Sequence, residues 1–242
     1  MKLISCTILI LLFVKCTSTS EQSEQKNPKE IKSDIVSAQQ FIKKTDSCEY
    51  DMDTLVIGNE SYYVFQNRQN SECEINLTII NQSNDTLYAH DGYATNGFEF
   101  EDFNGDGILD VRVHQMTNVG GISDLIMFDQ ESKRFKEVEY FDNYPSPTKI
   151  GNTEFYYSYH KSGCADFNWG SELFTIDDYQ VIELGYIEGV GCDDEEKNGI
   201  FTYKVDSSIQ TKMYSEYRES GYYADKWDFI KNYWTKNYWK FE

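Results

Sequence analysis

Proline and histidine are nearly absent from this chain, which has three of each in 242 residues. The histidines stand apart at His90, His114 and His160, so the imidazole clusters and C-x-x-C spacing of a zinc site are missing. No G-x-S-x-G, H-E-x-x-H, P-loop or dinucleotide fingerprint occurs. The chain therefore shows no motif for nucleophilic, zinc-dependent or nucleotide chemistry. Positive charge is also scarce: 22 Lys and Arg stand against 41 Asp and Glu, a formal net charge of -19. That balance argues against nucleic acid, whose binders carry basic patches, and against attraction to an anionic lipid surface. It suits cation binding, a basic protein partner or plain solubility. With this many acids some pair falls at glycosidase spacing by accident, so acid content alone is no evidence for hydrolysis. The N-terminal apolar run, residues 3–14, is too short for a bilayer, which takes about 20 residues.

Aromatic residues are plentiful, with 19 Tyr, 15 Phe and 4 Trp, and they favour strands. Short β-branched or aromatic runs recur at 54–58, 62–66, 74–81, 122–128, 134–140, 154–159, 172–176, 180–187 and 201–205, parted by Asn, Ser and Gly turns. The runs flanking Asp129-Gln-Glu-Ser predict a β-hairpin. Pro145 and Pro147 then break the chain. Loosely helical spacing of Ile31, Ile35, Val36, Phe41 and Ile42 predicts a short helix at the start of the domain. Near the C-terminus Trp227, Ile230 and Trp234 fall at i, i+3 and i+7, which predicts a second helix, with Asp225 placed to cap it and Asp228 in its first turn. Its stripe would pack across the sheet; the other use for such a stripe is an aromatic platform for a sugar or a partner. The expected fold class is all-β, mainly antiparallel, propeller-like or a sandwich, with one short N-terminal helix and one C-terminal helix.

The chain is organised around residues 98–113. An alternating strand, Phe98-Glu-Phe-Glu101, enters an oxygen-rich loop that reads D-x-N-x-D-G-x-x-D and leaves through Val111 and Val113. Calcium takes six to eight oxygen ligands from a chain that can wrap it. Asp102, Asn104 and Asp106 hold alternate positions, Gly107 permits the sharp turn, Ile108 can offer its carbonyl and Asp110 closes the set. Val113 stands where an EF-hand needs a bidentate Glu, and the flanks alternate as strands, so this is not an EF-hand. Without a metal the same residues form a turn joining two strands. Gly163-Cys164-Ala165-Asp166-Phe167-Asn168-Trp169-Gly170 repeats Asp-Phe-Asn but places Gly170 where a further acid is needed, which predicts a disulfide-pinned turn. The acid run at 192–196 predicts a solvated turn.

Lys2 and the apolar run precede Cys16, a pattern that resembles the lipobox of bacterial lipoproteins, with Phe13 and Lys15 where that motif has Leu and a small residue. The resemblance implies a signal peptide over 1–15 and acylation of Cys16 as the membrane anchor. Residues 16–30 lack large apolar side chains and read as a disordered tether, leaving 31–242 as a single domain. Four cysteines then remain: Cys48, Cys73, Cys164 and Cys192. An even number in an exported chain implies disulfides, and four allow three pairings. The sequence-neighbour pairing joins Cys48 to Cys73 and Cys164 to Cys192, each worth about 3 kcal/mol.

Asp102-Phe-Asn-Gly-Asp-Gly-Ile-Leu-Asp110 resembles the calcium loop of FG-GAP and integrin-type propeller blades. Residues 95–190 look like a group of secreted bacterial proteins with one such loop. In that group the loop is followed by a hairpin like Leu125-Ile-Met-Phe-Asp129 with Phe135, and by a segment like Tyr157-Ser-Tyr-His-Lys-Ser-Gly-Cys-Ala-Asp166. The group includes periplasmic lipoproteins that inhibit lysozyme-like effectors delivered by rival bacteria. The resemblance implies calcium as cofactor, held by Asp102, Asn104, Asp106, Ile108 and Asp110. It also implies a location in the cell envelope, and a binding or inhibitor role toward a basic protein or glycan partner, without catalysis. The alternatives are an envelope polysaccharide hydrolase with paired carboxylates, and a purely structural lipoprotein.

Overall fold

The computed structural model describes residues 50–67, 77–90 and 95–242. The expected signal, tether, N-terminal helix, Cys16 and the Cys48–Cys73 pair lie outside the described residues. The rest is built from antiparallel sheets, as the strand-rich sequence requires. The first sheet is a meander of β1 (Tyr50–Ile57), β2 (Glu60–Asn67), β3 (Leu77–Ile80) and β4 (Thr86–His90). A second meander takes β5 (Thr95–Glu101), β6 (Asp110–Gln115), β7 (Ser123–Asp129) and β8 (Arg134–Glu137). The third sheet uses β9 (Thr148–Lys149), β10 (Tyr156–Tyr157), β11 (His160–Lys161), β12 (Trp169–Asp177), β13 (Gln180–Val190), β14 (Gly199–Asp206) and β15 (Ile209–Tyr217). Its order is β15-β14-β13-β12-β10-β9, with β11 also on β12. One helix, α1 (Lys226–Asn237), follows.

The sheets stack because their apolar faces need partners. Leu55, Tyr62, Val64, Leu77 and Ile79 of the first sheet share a core with Val111, Val113, Ile126, Phe128 and Phe135 of the second. The second sheet turns its other face, with Leu125 and Met127, toward Tyr156, Phe174 and Val181 of the third, along with Phe103, Val138 and Phe141. β7 carries a continuous apolar run, Leu125-Ile-Met-Phe128, and every residue of the strand is buried. A strand covered on both faces has no polar side to alternate with. Each of its large side chains contributes about 1.5–3 kcal/mol of burial.

α1 closes the outer face of the third sheet. Ile230 and Trp234 pack with Trp169, Leu173, Ile187 and Ile200, and the Trp234 indole Nε1 donates to Ser171 Oγ at 2.8 Å. The indole is wholly buried and would otherwise lack an acceptor. The third member of the expected stripe, Trp227, is 51% exposed. Asp225 sits at the N-cap position but makes no side-chain cap bond. Arg218 Nη1 engages its carboxylate instead, at 2.7 Å. A close approach fixes one glycine: a Cβ at Gly185 would lie 2.5 Å from the Phe241 ring, which ends the chain in this core.

Candidate functional site

The oxygen-rich loop joins β5 to β6, and Glu101 pairs with Asp110 across the ladder at its neck. Two positive-φ glycines, Gly105 (78°) and Gly107 (85°), let the chain reverse. The side-chain oxygens turn inward on the loop's own amides. Gly107 N donates to Asp102 Oδ2 at 3.0 Å, Asp106 N to Asn104 Oδ1 at 3.0 Å and Ile108 N to Asp106 Oδ1 at 2.8 Å. Asp110 is different, being 2% exposed. It accepts the amides of Phe103 at 3.3 Å and Phe128 at 3.4 Å. Burial pushes its carboxyl up to about 7, the two amide bonds oppose that, and the nearby charges of Asp106 and Asp102 add to it.

The loop is fastened to the third sheet by residues that sequence reasoning did not single out. Phe103 stacks on Tyr156 with centroids 4.8 Å apart and meets Phe141 edge-on at 5.2 Å. The Tyr156 hydroxyl donates to the Phe103 carbonyl at 3.3 Å. Its own ionisation is pushed up to about 12 by burial and then by the charges of Asp110, Asp102 and Glu101. The Lys149 ammonium donates to the Asn104 carbonyl. It bonds backbone and forms no ion pair with Asp102, Asp106 or Asp110, nor does any other described Lys, Arg or His. Ile108 packs on the first core, while Leu109 stays 39% exposed.

These donors suit a hard cation by chemistry: all are oxygens, and the one ammonium among the described residues that reaches the loop, Lys149, bonds the Asn104 carbonyl and pairs with none of the three acids. Among the described residues no three of His, Cys, Asp and Glu converge closely enough to hold a metal by themselves. A calcium ion would therefore draw on the Asn104 side chain and the Ile108 carbonyl as well as on the three aspartates.

The second Asp-Phe-Asn segment serves a different purpose. Cys164 and Cys192 form a disulfide, with Cα atoms 6.3 Å apart. Cys164, Ala165 and Asp166 are left-handed in succession, at φ 51°, 52° and 72°. The turn aims Asp166 at Lys226 Nζ, 2.6 Å away. Lys226 is wholly buried; it also donates to the Tyr159 hydroxyl at 2.9 Å and lies 4.5–5.2 Å from the rings of Tyr222, Tyr159 and Trp227. Burial works to raise the Asp166 carboxyl, but its bonds from Lys226 and Tyr159 outweigh that and hold it below the ordinary value. A lysine thus fills the place of a cation here. Asn168 Oδ1 accepts the amides of Gly191 and Cys192 at 2.9 and 3.1 Å, which ties the two ends of the disulfide loop. In the acid run, Lys197 pairs with exposed Asp193 and Asp194 at 3.4 and 3.2 Å, as a solvated turn should.

The third sheet also brings two glutamates together. Glu172 bonds to Ser158 Oγ and lies 3.3 Å from His160 Nδ1. Glu183 accepts from the Tyr144 hydroxyl at 3.2 Å. Burial raises Glu183, the tyrosine bond opposes the shift, and the charge of Glu172 adds to it. The His160 imidazole is raised in turn by its bond to Glu172.

No family model matches the chain, and no curated protein matches it. Among solved structures, one described as "Structure of a Xanthomonas Type IV Secretion System related protein" superposes with a TM-score of 0.46 and 12% identity, covering 67% of this chain and 93% of that one. A likeness at this level carries no argument about function.

Proposed function

We propose that this protein is a non-catalytic binding module of the bacterial cell envelope, anchored through an acylated Cys16 and stabilised by calcium in the 102–110 loop. One observation carries the proposal. The charges of Asp106 and Asp102 add to the cost of ionising buried Asp110, and among the described residues no cationic side chain forms an ion pair with any of the three. A divalent cation held by those aspartates with Asn104 and Ile108 would supply the missing charge and fix the β5–β6 connection. Phe103, Tyr156 and Lys149 would pass that order to the third sheet. The net charge of -19 favours a basic protein partner, such as a lysozyme-like hydrolase. The test is thermal unfolding of the purified protein with calcium and with chelator, beside Asp106→Ala. At a calcium concentration about a hundred times the dissociation constant the gain is about 2.7 kcal/mol, and the variant should lose it. An unchanged midpoint in the parent protein would end the calcium part. Failure to inhibit or capture any peptidoglycan hydrolase would end the inhibitor part.

A second reading, a polysaccharide hydrolase, has one observation in its favour: Glu172 and Glu183 share a face in unequal surroundings, the arrangement from which acid and base roles are drawn. Release of reducing ends from cell-wall glycan, abolished by Glu183→Gln, would establish it; no release from the parent protein would dismiss it.

A further inference from the structure

We infer that the groove between β15 and α1 is a binding subsite for a neutral oligosaccharide. The groove has a volume of about 400 Å³ and an aromatic floor of Tyr214, Phe229 and Tyr233. Tyr214 pairs with Thr202 in the β14–β15 ladder and so shares the face that looks toward the helix. Phe229 and Tyr233 are one helical turn apart, with rings 17° from parallel and centroids 5.6 Å apart; Tyr214 lies 5.7 and 5.6 Å from them. Flat rings side by side present apolar faces to the C–H side of a sugar ring.

The polar wall is a second row of the same helix. Asp228, Asn232 and Lys236 follow at four-residue spacing and line the groove. Their side chains make no hydrogen bond or ion pair among the described residues, so an acceptor, an amide and a donor stand ready for hydroxyl groups. The end of the groove is fixed: Arg218 bonds Asp225 at 2.7 Å, and its guanidinium lies 6.0 Å from the Phe229 ring.

Charge selects the ligand. Asp225 also lines the groove but is paired with Arg218, and Asn237 is bonded to the Tyr233 carbonyl, so the unpaired wall is one acid, one amide and one ammonium in a chain of net charge -19. A cationic peptide would meet Lys236 and find no excess of acid. An anionic glycan would meet Asp228 and the field of the whole molecule. A neutral polyhydroxylated chain uses all three groups and the rings, in the mix of apolar walls and few polar groups typical of small-ligand sites. This deepens the binding-module proposal and rests on it.

The test is a titration of the purified, isotope-labelled protein with chitotetraose, cellotetraose and maltotetraose, beside tetralysine and tetragalacturonate, followed by amide shifts. Saturable shifts confined to residue 214 and to 225–237 with a neutral tetrasaccharide are expected. Asp228→Asn and Asn232→Ala, both on the exposed side of the helix, should each weaken that binding about fivefold, the loss of one hydrogen bond. Absence of saturable shifts with all three neutral sugars, binding of a charged probe alone, or unchanged affinity in both variants would overturn the assignment. Product analysis of the same mixtures reads the parent proposal separately: intact sugar keeps it and cleaved sugar ends it, while the groove stands or falls on the affinities.

Discussion

At the N-terminus of α1 a fully buried ammonium meets one carboxylate, one tyrosine hydroxyl and three rings. In the sequence Lys226 reads as a solvated charge in a first helical turn, because its partners lie 60 and 67 residues away at Asp166 and Tyr159. The pinned turn was legible, since Cys164 and Asp166 stand in a Gly-, Asn- and Asp-rich run; the cation that it serves was not. Removing one member of a buried pair strands the other, at a cost of about 3–5 kcal/mol. Lys226→Met should therefore lower urea stability by that order, and adding Asp166→Asn should recover part of the loss. The pH dependence has a definite sign. Asp166 is depressed in the folded state, so its contribution is present above the ordinary carboxylate pKa of 3.8 and is lost as pH falls below it. Unfolding midpoints measured from pH 5 to pH 2 should fall less steeply in Lys226→Met than in the parent protein.

Among the elements, β7 was the clearest and β15 the most obscure. A short apolar run bounded by turns marks a doubly covered strand, and residues 123–129 hold that place between two cores. β15 runs Ile209–Tyr217 at the sheet edge with nearly every residue exposed; without a buried face it leaves no alternation to detect. The contrast can be measured. Leu125→Ala, at 0% exposure, should cost about 2–5 kcal/mol. Ile209→Ala, at 66% exposure, should stay within about 0.5 kcal/mol. Equal losses in chemical denaturation would mean that β15 carries a hidden face. The β5–β6 connection was legible as an oxygen-rich turn between strands because its periodicity changes abruptly at Asp102. Its attachment through Phe103 to Tyr156 was not, since a single aromatic inside a polar loop says nothing about which sheet receives it.

For the molecule as a whole, antiparallel hairpins were readable from turn chemistry, but the stacking of three sheets was not. Hairpin signals fix which strands pair and leave open which faces meet. Charge links the scales. A chain at -19 repels itself when folded, and salt shortens that repulsion, with a screening length of about 10 Å at 0.1 M. Two contributions should therefore separate in a calcium experiment. In chelator, raising sodium chloride should lift the melting midpoint of both the parent protein and Asp106→Ala, by about 2–4 °C for each kcal/mol gained. At matched ionic strength, replacing part of the sodium salt with millimolar calcium should add a further rise in the parent protein alone, because general screening acts on both proteins alike and only the parent keeps the full site. An equal rise in both proteins would make calcium one more screening ion. A rise only in the parent would tie the ion to the acids at 102–110, and through Phe103 and Lys149 to the sheet that carries α1 and its groove.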